Sequence, residues 1–403
     1  MLRSLALLLC LAAPALAEPA DDALKAMTWD QILAEARGDS VTWFMWGGSD
    51  QINRYVSDHV AGILARDHGI TLNRVGISDA VEAVNIVLVE KEAGITTGGA
   101  VDLIWINGEN FRSMKQAGLA FCSYTDLLPN NALVNWDNPA IANDFGVPVD
   151  GCQVPWNTVQ FAFAHDSAVV ADPPRSMPAL LAWIKANPGR FTYPAPPDFT
   201  GSAFVRHVFV HAAGGPEALL GPFDQARFDA VAARTWAILN EIEPHLWRQG
   251  RTYPTTIMQL NELFANGEVD FTFNYDPSQF GLAVQAGLYP ETVRSFGLTD
   301  GTLANTNYTL IPFNAPNKAA AMVVQNLLLS GEEQLHKARP EVWGASPAIE
   351  LSRTAPEVQA GFAALTGHPS VVPAAELARA ALPELQADWL TAIEAGWLAE
   401  VGR

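Results

Sequence analysis

The chain has 403 residues, a formal net charge of −19 and 49% apolar residues. This acidity argues against a binder of nucleic acid or anionic lipid, because the phosphates of both would be repelled. The length exceeds what one hydrophobic core usually organises and suits two lobes.

The N-terminus predicts a secretory signal peptide over residues 1–17. Arg3 precedes an apolar run over 4–13, and the Ala-Leu-Ala that ends at Ala17 fits the small-x-small rule for cleavage there. We therefore expect a periplasmic protein. Cys10 follows three leucines rather than a small residue, so a lipid anchor is not expected. Loss of Arg3 would change the net charge to −20.

Two cysteines, Cys122 and Cys152, lie beyond the leader. Exported proteins often pair their cysteines, and this pair would close a loop of about 30 residues, which stabilises by about 3–4 kcal/mol on the chain-entropy estimate. Two buried free thiols are the alternative. No metal site is predicted, because neither cysteine has a C-x-x-C or histidine partner at ligand spacing.

In the first part of the chain, strands alternate with helices, which is typical of a parallel sheet. The stretch VTWFMW is a buried strand, and Gly47-Gly48 then turns the chain into a helix. The predicted elements are a surface helix over 21–37, strands over 41–46, 70–75 and 101–106, and helices over 51–67, from Asp79 to Gly94 and from 107–110 to Gly118.

The stretch over 154–164 predicts a strand that crosses into a second lobe. The remaining predicted elements are helices over 176–186, from 201–202, over 223–241, over 259–266, near Gln279 and over 319–329, strands over 191–194, 269–274 and 309–313, and further helices across 332–403.

Polar turns follow several of these strands, and each precedes a helix start whose free amides suit a ligand. A capping or core role is the alternative for each turn residue, and a solvated turn acid is the alternative for Glu109 and Asp276. The predicted ligand contacts are Trp46, Gly47, Gly48, Ser49, Asn107, Glu109, Asn110, Trp156, Thr200, Gly201, Ser202, Asn274, Tyr275 and Asp276.

Three motifs carry a family resemblance: WFMWGGSDQINRY, VDLIWINGENF and NAPNKAAAMVVQNLLLS. The chain resembles a type II periplasmic solute-binding protein of an ABC importer, in the YnjB-type branch that groups with thiamine, iron and polyamine binders. The resemblance implies two α/β lobes, each a mostly parallel sheet flanked by helices, joined by crossover strands.

In this interpretation, residues 18–155 and 305–403 form lobe I and residues 156–304 form lobe II, with the C-terminal helices packing on either lobe. The resemblance also implies a monomer that passes a small ligand to a permease and an ATPase, with no cofactor and no catalysis. Neither an HExxH motif nor a G-x-S-x-G motif is present. His207 and His211 have i, i+4 spacing, for which packing is the preferred interpretation over a metal site.

The predicted contacts include two carboxylates and three aromatic rings but no lysine or arginine. This set favours an organic cation, because aromatic faces and carboxylates both attract positive charge. Thiamine or a related compound is the first expectation, a polyamine also fits, and a sugar is the alternative. Ferric iron fits less well, because the seven tyrosines are scattered.

Overall fold

A computed structural model describes residues 21–402, so the predicted signal peptide lies outside the described residues. The first elements are α1 (Asp21–Lys25), α2 (Trp29–Glu35), β1 (Ser40–Trp46), α3 (Asp50–Arg54), α4 (Ala61–Ile63), β2 (Thr71–Ile77), α5 (Val81–Glu92), β3 (Leu103–Ile106), α6 (Gly108–Gln116), α7 (Pro139–Ala142), β4 (Asn143–Asp144) and β5 (Val147–Pro148). The π-helical turns Tyr55–Val60 and Leu64–His68 join α3 and α4 into one helix, as predicted.

The predicted helix over 21–37 is instead two helices. Thr28 accepts a hydrogen bond from Gln31 N, and the Gln31 side chain accepts one from Thr28 N. This capping box starts α2 afresh, because it satisfies amides that a continuous helix would have paired internally.

The middle of the chain contains β6 (Gln153–Gln160), β7 (Ala162–Asp166), α8 (Met177–Ala186), α9 (Phe199–Ala213), α10 (Gln225–Ile242), α11 (Ile257–Ala265), β8 (Phe271–Asn274), α12 (Ser278–Gln285) and β9 (Val293–Phe296). The strand predicted over 191–194 does not form. The carbonyl of Phe191 accepts instead from Trp247 N at 2.8 Å, in a loop rather than a sheet ladder.

The last part contains β10 (Thr302–Leu310), α13 (Lys318–Leu328), α14 (Gly331–Ala338), β11 (Ser346–Pro347), α15 (Pro356–Ala363), α16 (Ala374–Leu377), β12 (Ala381–Pro383) and α17 (Ala387–Glu400). Strand β10 begins seven residues before the strand predicted over 309–313 and ends within it. Nowhere in residues 21–402 does a helix combine the length and apolarity needed to cross a bilayer.

The larger sheet has seven strands, in the order β11-β6-β10-β3-β1-β2, with β12 beside β10. Strand β1 is parallel to β2 and β3, whereas β10 is antiparallel to β3 and β6. Because parallel strands end at one edge, Trp46 lies opposite Ile77 and on the same side as the end of β3. This edge is where the predicted turns of the first part gather.

The smaller sheet has three strands, in the order β8-β7-β9. Both pairs are antiparallel, which corrects the prediction of a mostly parallel sheet in the second lobe. The reason is that β7 continues β6 out of the larger sheet, while β8 runs back toward it: Ala162, the first residue of β7, pairs with Asn274, the last of β8. The turn after β8 therefore faces the larger sheet.

We call the parts built on the two sheets the larger-sheet lobe and the smaller-sheet lobe. Apolar clusters cover both faces of the larger sheet, and a third cluster surrounds the smaller sheet. The C-terminal region divides between them: Trp343 packs in the larger-sheet lobe, whereas Trp389 and Trp397 of α17 pack in the smaller-sheet lobe. A disulfide joins Cys122 to Cys152, which confirms the predicted pairing.

Candidate functional site

A cavity of 150 Å³ lies between the two lobes. Its walls come from the strand ends of the larger-sheet lobe and from helix starts and turns of the smaller-sheet lobe. A second cavity, of 430 Å³, adjoins it and shares Asn274 and Gln279 with it. Both cavities are lined by residues of the two lobes, and we call them together the cleft.

The larger-sheet wall is built on the ends of β1 and β3. The Trp46 ring meets the Trp105 ring edge-on, with centroids 6.3 Å apart. A Cβ atom on Gly48 would lie 2.2 Å from the Trp46 ring, so glycine is required for the indole to lie over this turn. Asn107 precedes α6, and its side-chain amide donates to Asn307 Oδ1 at 2.9 Å.

The smaller-sheet wall depends on Asp198, which caps α9. One carboxylate oxygen accepts from the amides of Thr200 and Gly201 at 3.1 and 2.8 Å, and the other accepts from Ile257 N, at the start of α11, at 3.0 Å. Burial raises the pKa of Asp198, and these backbone donors oppose the rise. Asp198 thus holds two helix starts against the cavity.

Asp276 follows β8 on the same wall. Its Oδ1 accepts from the Ser278 hydroxyl at 2.6 Å, and its Oδ2 accepts from the indole of Trp343 at 2.6 Å. Burial raises the pKa of this carboxyl group, and the donated hydrogen bonds oppose the rise. Asp276 is therefore not the solvated turn acid that the sequence left as an alternative.

The charged residues of the lining are Asp79, Asp198 and Asp276, and no described lining residue is lysine, arginine or histidine. Asp79 Oδ1 accepts from Val81 N at 2.9 Å and from the Asn110 side chain at 3.3 Å. Aromatic rings on both walls complete the lining, which is Trp46, Trp105, Phe199 and Tyr275. The cavity thus presents carboxylates and ring faces without an opposing cation.

A buried ionic layer lies directly behind this wall. Arg206 is fully buried and pairs with Glu384 at 3.2 Å, while its other nitrogens donate to Ser202 Oγ at 3.1 Å and to Tyr275 Oη at 2.7 Å. Burial opposes the charge of Arg206, but Glu384 and Tyr275 outweigh it and raise the pKa. Tyr275 therefore turns its ring to the cavity and its hydroxyl away.

Glu109 belongs to this layer rather than to the wall. Burial, followed by the neighbouring Glu394, raises its pKa to about 7. Arg206 lowers this pKa and Asp79 raises it, each to a smaller extent. The Oε2 atom of Glu109 has no hydrogen-bond partner within residues 21–402. At neutral pH this carboxyl group is therefore poised between its charged and uncharged forms.

The structure brings together ten of the fourteen predicted contact residues along the cleft. Those lining the first cavity are Trp46, Asn107, Asn110, Thr200, Asn274, Tyr275 and Asp276, and those lining the second are Gly47, Gly48 and Ser49.

The other four predicted contacts lie behind the wall. Trp156 is fully buried between Trp43 and Trp343, and Gly201 packs so closely on Pro194 that a Cβ atom would lie 2.1 Å from its carbonyl oxygen. Ser202 bonds to Arg206, and Glu109 faces Glu394.

Sequence reasoning did not select several wall residues. Asp79 and Trp105 stand where the rule used for Trp46 would have found them, one at a helix start and one near a strand end. Asp198 carries an N-cap signal that precedes Thr200 by two residues. Gln279 lies in the first turn of α12, where the same rule would have found it, whereas Asn307 lies inside β10 and carries no comparable signal.

No grouping of three or more histidine, cysteine, aspartate or glutamate residues within 21–402 is arranged to hold a metal ion. The chemistry that the cleft offers is reversible recognition of a positively charged or hydrogen-bonding solute by carboxylates, amides and ring faces.

Comparisons with known proteins agree with this geometry. Residues 60–366 match the family model described as bacterial extracellular solute-binding protein. Protein YnjB of Escherichia coli (strain K12) is 37% identical over 380 residues, which covers 94% of this chain and 95% of that protein.

Two solved structures share the fold at low identity. The TpPotD lipoprotein of Treponema pallidum has a TM-score of 0.66 at 12% identity, covering 91% of this chain and 100% of that one. The spermidine/putrescine substrate-binding protein PotD from Streptococcus pneumoniae has a TM-score of 0.60 at 14% identity, covering 90% and 98%. These similarities confirm the predicted two-lobed fold of a periplasmic binding protein.

The matching family is one of solute-binding proteins rather than enzymes, which confirms the prediction of a non-catalytic role. The chain belongs to the bacterial extracellular solute-binding protein family.

Proposed function

We propose that the protein captures a small organic cation in the cleft and delivers it to an ABC permease driven by an ATPase. The observation that carries the proposal is the charge of the first cavity: every charged residue that lines it is a carboxylate, whereas the adjoining cavity is lined by Arg54 as well as by Asp50 and Glu262. A cation entering such a site gains charge-assisted hydrogen bonds without competing with a resident lysine or arginine. The ring faces of Trp46 and Trp105 add cation–π attraction, worth about 0.5–2 kcal/mol each.

Asp79 is the wall acid best placed to bind the cation. Its Oδ1 carries both of its hydrogen bonds, whereas no described residue donates to Oδ2. Asp198 and Asp276 use both of their oxygens within the protein. A ligand ammonium or ring cation would therefore find a free acceptor at Asp79. Asp198 and Asp276 would attract the cation through their negative charge rather than through direct hydrogen bonds.

The volumes of the two cavities limit the size of the ligand. A cavity of about 150 Å³ holds a molecule the size of benzene. The first cavity therefore suits one end of thiamine or of a polyamine, and the adjoining 430 Å³ cavity has room for the remainder. The name of the Streptococcus pneumoniae relative, a spermidine/putrescine binder, supports the polyamine, while the four aromatic rings of the lining support a ring cation such as thiamine.

A sugar is the second candidate ligand. Tryptophan faces stack on sugar rings, and the lining includes Asn107, Asn110 and Asn274, whose amides suit hydroxyl groups. A neutral sugar would leave the charge of the three wall acids unmatched, which is why the cation is preferred.

The remaining features of the proposal follow the family. We propose that the leader is cleaved after Ala17, that the mature protein is a periplasmic monomer, and that 156–304 form one lobe and 18–155 with 305–403 the other. The passage of the chain between sheets at β6–β7 and β9–β10 supports that division. The packing of α17 on the smaller-sheet lobe supports the expectation that helices of the C-terminal segment pack on either lobe.

Isothermal titration calorimetry tests the proposed ligand class. Thiamine, choline, putrescine and spermidine form the cation panel, and glucose and maltose form the neutral panel. We expect heat from at least one cation and a Kd that weakens with added salt, because the attraction is ionic. Binding of a sugar alone, or of no cation, would overturn the proposal.

The variant Asp79→Asn tests whether this carboxylate binds the cation directly. Loss of a charge-assisted hydrogen bond of about 1.5–3 kcal/mol should weaken the Kd for the bound cation roughly 10- to 100-fold. Asp67→Asn is the matched control, because Asp67 is exposed and its side chain bonds only to the neighbouring Arg66. Equal effects of the two substitutions would show that the cleft charge plays no part.

A further inference from the structure

Trp343 lies in the loop that follows α14, in the core of the larger-sheet lobe. It is fully buried. Its ring centroid lies 5.0 Å from that of Trp156, 6.2 Å from that of Trp105 and 6.1 Å from that of Tyr55. These neighbours fix the plane and position of the indole.

The polar edge of this indole reaches the other lobe. Its Nε1 donates to Oδ2 of Asp276 at 2.6 Å. Asp276 follows the last residue of β8 and so belongs to the smaller-sheet lobe, and it lines the cavity. The other donor to Oδ2, the side chain of Gln279, lies at 3.4 Å. The short hydrogen bond that orients this oxygen is therefore supplied from across the cleft.

Adjacent contacts hold the two lobes together at the same place. Gln285 on α12 donates to the carbonyl of Pro340 at 3.3 Å, and a Cβ atom on Gly344 would lie 3.1 Å from the side chain of Ser278. The loop over 340–344 thus rests on α12 where Trp343 meets Asp276. A rotation of one lobe against the other would break these contacts together.

A buried amine lies near the ring of this indole. Lys337 is fully buried, its Nζ donates to the carbonyl of Trp156, and it lies 5.7 Å from the centroid of the Trp343 ring. Burial lowers the pKa of this lysine, opposed by Glu333 and Asp276. In its charged form, an ammonium over an indole face draws electron density from the ring and strengthens the N–H as a donor.

We infer that Trp343 is a positioning residue for solute binding. Its N–H, supplied by the larger-sheet lobe, orients the Asp276 carboxylate of the smaller-sheet lobe on the cavity wall. The orientation of Oδ2 therefore depends on the arrangement of the lobes seen here, whereas Oδ1 is held within its own lobe by Ser278. The effect on binding rests on the proposed cation site, whereas the orienting hydrogen bond does not depend on any ligand.

The variant Trp343→Phe tests the inference, because phenylalanine keeps an aromatic ring in the cluster and removes the donor. The matched control is Trp389→Phe. Trp389 is also fully buried, and its indole donates to the carbonyl of Gly221 at 3.2 Å, in the core of the smaller-sheet lobe. Both variants lose one indole hydrogen bond, so a purely structural role predicts similar losses of thermal stability and nothing more.

The first measurement is the pKa of Asp276 in the ligand-free protein, followed by carboxyl ¹³C NMR. A donor to the ionised carboxylate lowers its pKa, so Trp343→Phe should raise that pKa and Trp389→Phe should leave it unchanged. An unchanged pKa in Trp343→Phe would overturn the inference. If that variant does not fold, the wild-type indole ¹⁵N–¹H signal of Trp343 should shift with the titration midpoint of Asp276, and separate midpoints would overturn it instead.

The second measurement is the Kd for spermidine and for thiamine by calorimetry. Because Asp276 acts on the ligand through its charge rather than through a direct bond, Trp343→Phe should weaken whichever cation binds by about three- to tenfold as the carboxylate shifts, and Trp389→Phe by less than about twofold. An unchanged Kd in Trp343→Phe would overturn the role in binding. A shifted pKa with no cation bound by the wild type would uphold the hydrogen bond and overturn the proposed ligand class.

Discussion

The cavity wall and the buried layer behind it both contain acids, but they treat charge in opposite ways. On the wall, the carboxylates of Asp79, Asp198 and Asp276 are satisfied only by neutral donors such as amides, a hydroxyl and an indole. In the layer behind, Arg206 faces Glu384 directly. The wall therefore keeps negative charge available to a solute, whereas most of the charge behind it is neutralised within the protein.

The wall and the layer behind it thus show two different roles for a buried acid. A carboxylate held by neutral donors keeps its charge and its position, and so can attract a cation. A carboxylate paired with a buried arginine holds elements together, and its charge is no longer available to a ligand. Glu109 fits neither description, because burial and then the charge of Glu394 raise its pKa more than Arg206 lowers it.

The largest expected loss of stability comes from a substitution in the buried layer behind the wall. Arg206→Met would leave Glu384 buried without its counter-charge, and removal of one partner of a buried pair costs about 3–5 kcal/mol. We expect urea unfolding to show a loss of this size. Arg66→Met is the control, because Arg66 pairs with Asp67 at the exposed surface and should change little. Similar losses in the two variants would remove the distinction between the layer and the surface.

The next largest effect is a pH dependence of stability that comes from Glu109, whose pKa is raised by burial and by the neighbouring Glu394. The pKa of Glu109 is raised from 4.5 to about 7, so the folded protein holds this proton more tightly than the unfolded chain. Stability should then fall as pH rises from about 4.5 to about 7, by at most about 3 kcal/mol from this group. Glu109→Gln should remove that fall and be the more stable protein at pH 8. Urea midpoints at pH 5, 6, 7 and 8 measure it.

An equal pH dependence in wild type and Glu109→Gln would contradict the assignment. Glu394→Gln serves as the partner variant. It removes the neighbouring charge that raises the pKa of Glu109, so its profile should flatten only in part, because burial remains the larger cause.

A smaller effect separates structure from charge on the wall. Asp198→Ala removes the cap of α9 and the acceptor for Ile257 N, and we expect it to lower stability by about 1–2 kcal/mol. Asp198→Asn keeps a capping oxygen, so thermal unfolding should detect only a small change. Its cation affinity should nevertheless fall, because the charge has gone. If Asp198→Asn binds the cation as tightly as wild type, this wall acid has only its structural role.

The smallest effect concerns the ring faces. Trp46→Ala should weaken binding of an organic cation by about 0.5–2 kcal/mol, the range for one cation–π contact. Trp136→Ala is the control, since its indole bonds to Asn131 and it does not line either cavity. Calorimetry with the cation that binds compares them. A loss confined to Trp46→Ala would sharpen the contrast between the wall and the rest of the larger-sheet lobe.

Local patterns in the sequence predicted the larger-sheet lobe well up to β3. The apolar run ending at Trp46 and the glycine turn after it specify a buried strand and a helix start wherever they occur, because backbone conformation there depends on neighbouring residues. The placement of Trp46 and Asn107 at one edge followed from the parallel pairing of β1 and β3.

The same reasoning was weaker for the smaller-sheet lobe. Thr200 and Ser202 are two residues apart in α9 and equally polar, yet Thr200 lines the cavity and Ser202 faces Arg206. Helical periodicity places them on different faces but does not say which face meets the other lobe. The direction of β8 likewise depended on how β7 leaves the larger sheet, which no local pattern records.

The sequence by itself determined the compartment expected for the chain, the strand–helix order of the larger-sheet lobe and the family motifs, and it favoured the cysteine pairing that the structure shows. Each is set by composition or by residues close together in the chain. Only the tertiary structure decided which turns share the cleft, that Arg206 meets Glu384, and that Trp343 meets Asp276, 67 residues away. Such pairs form because two separately packed cores bring them together, and that packing has no signature in a short stretch of sequence.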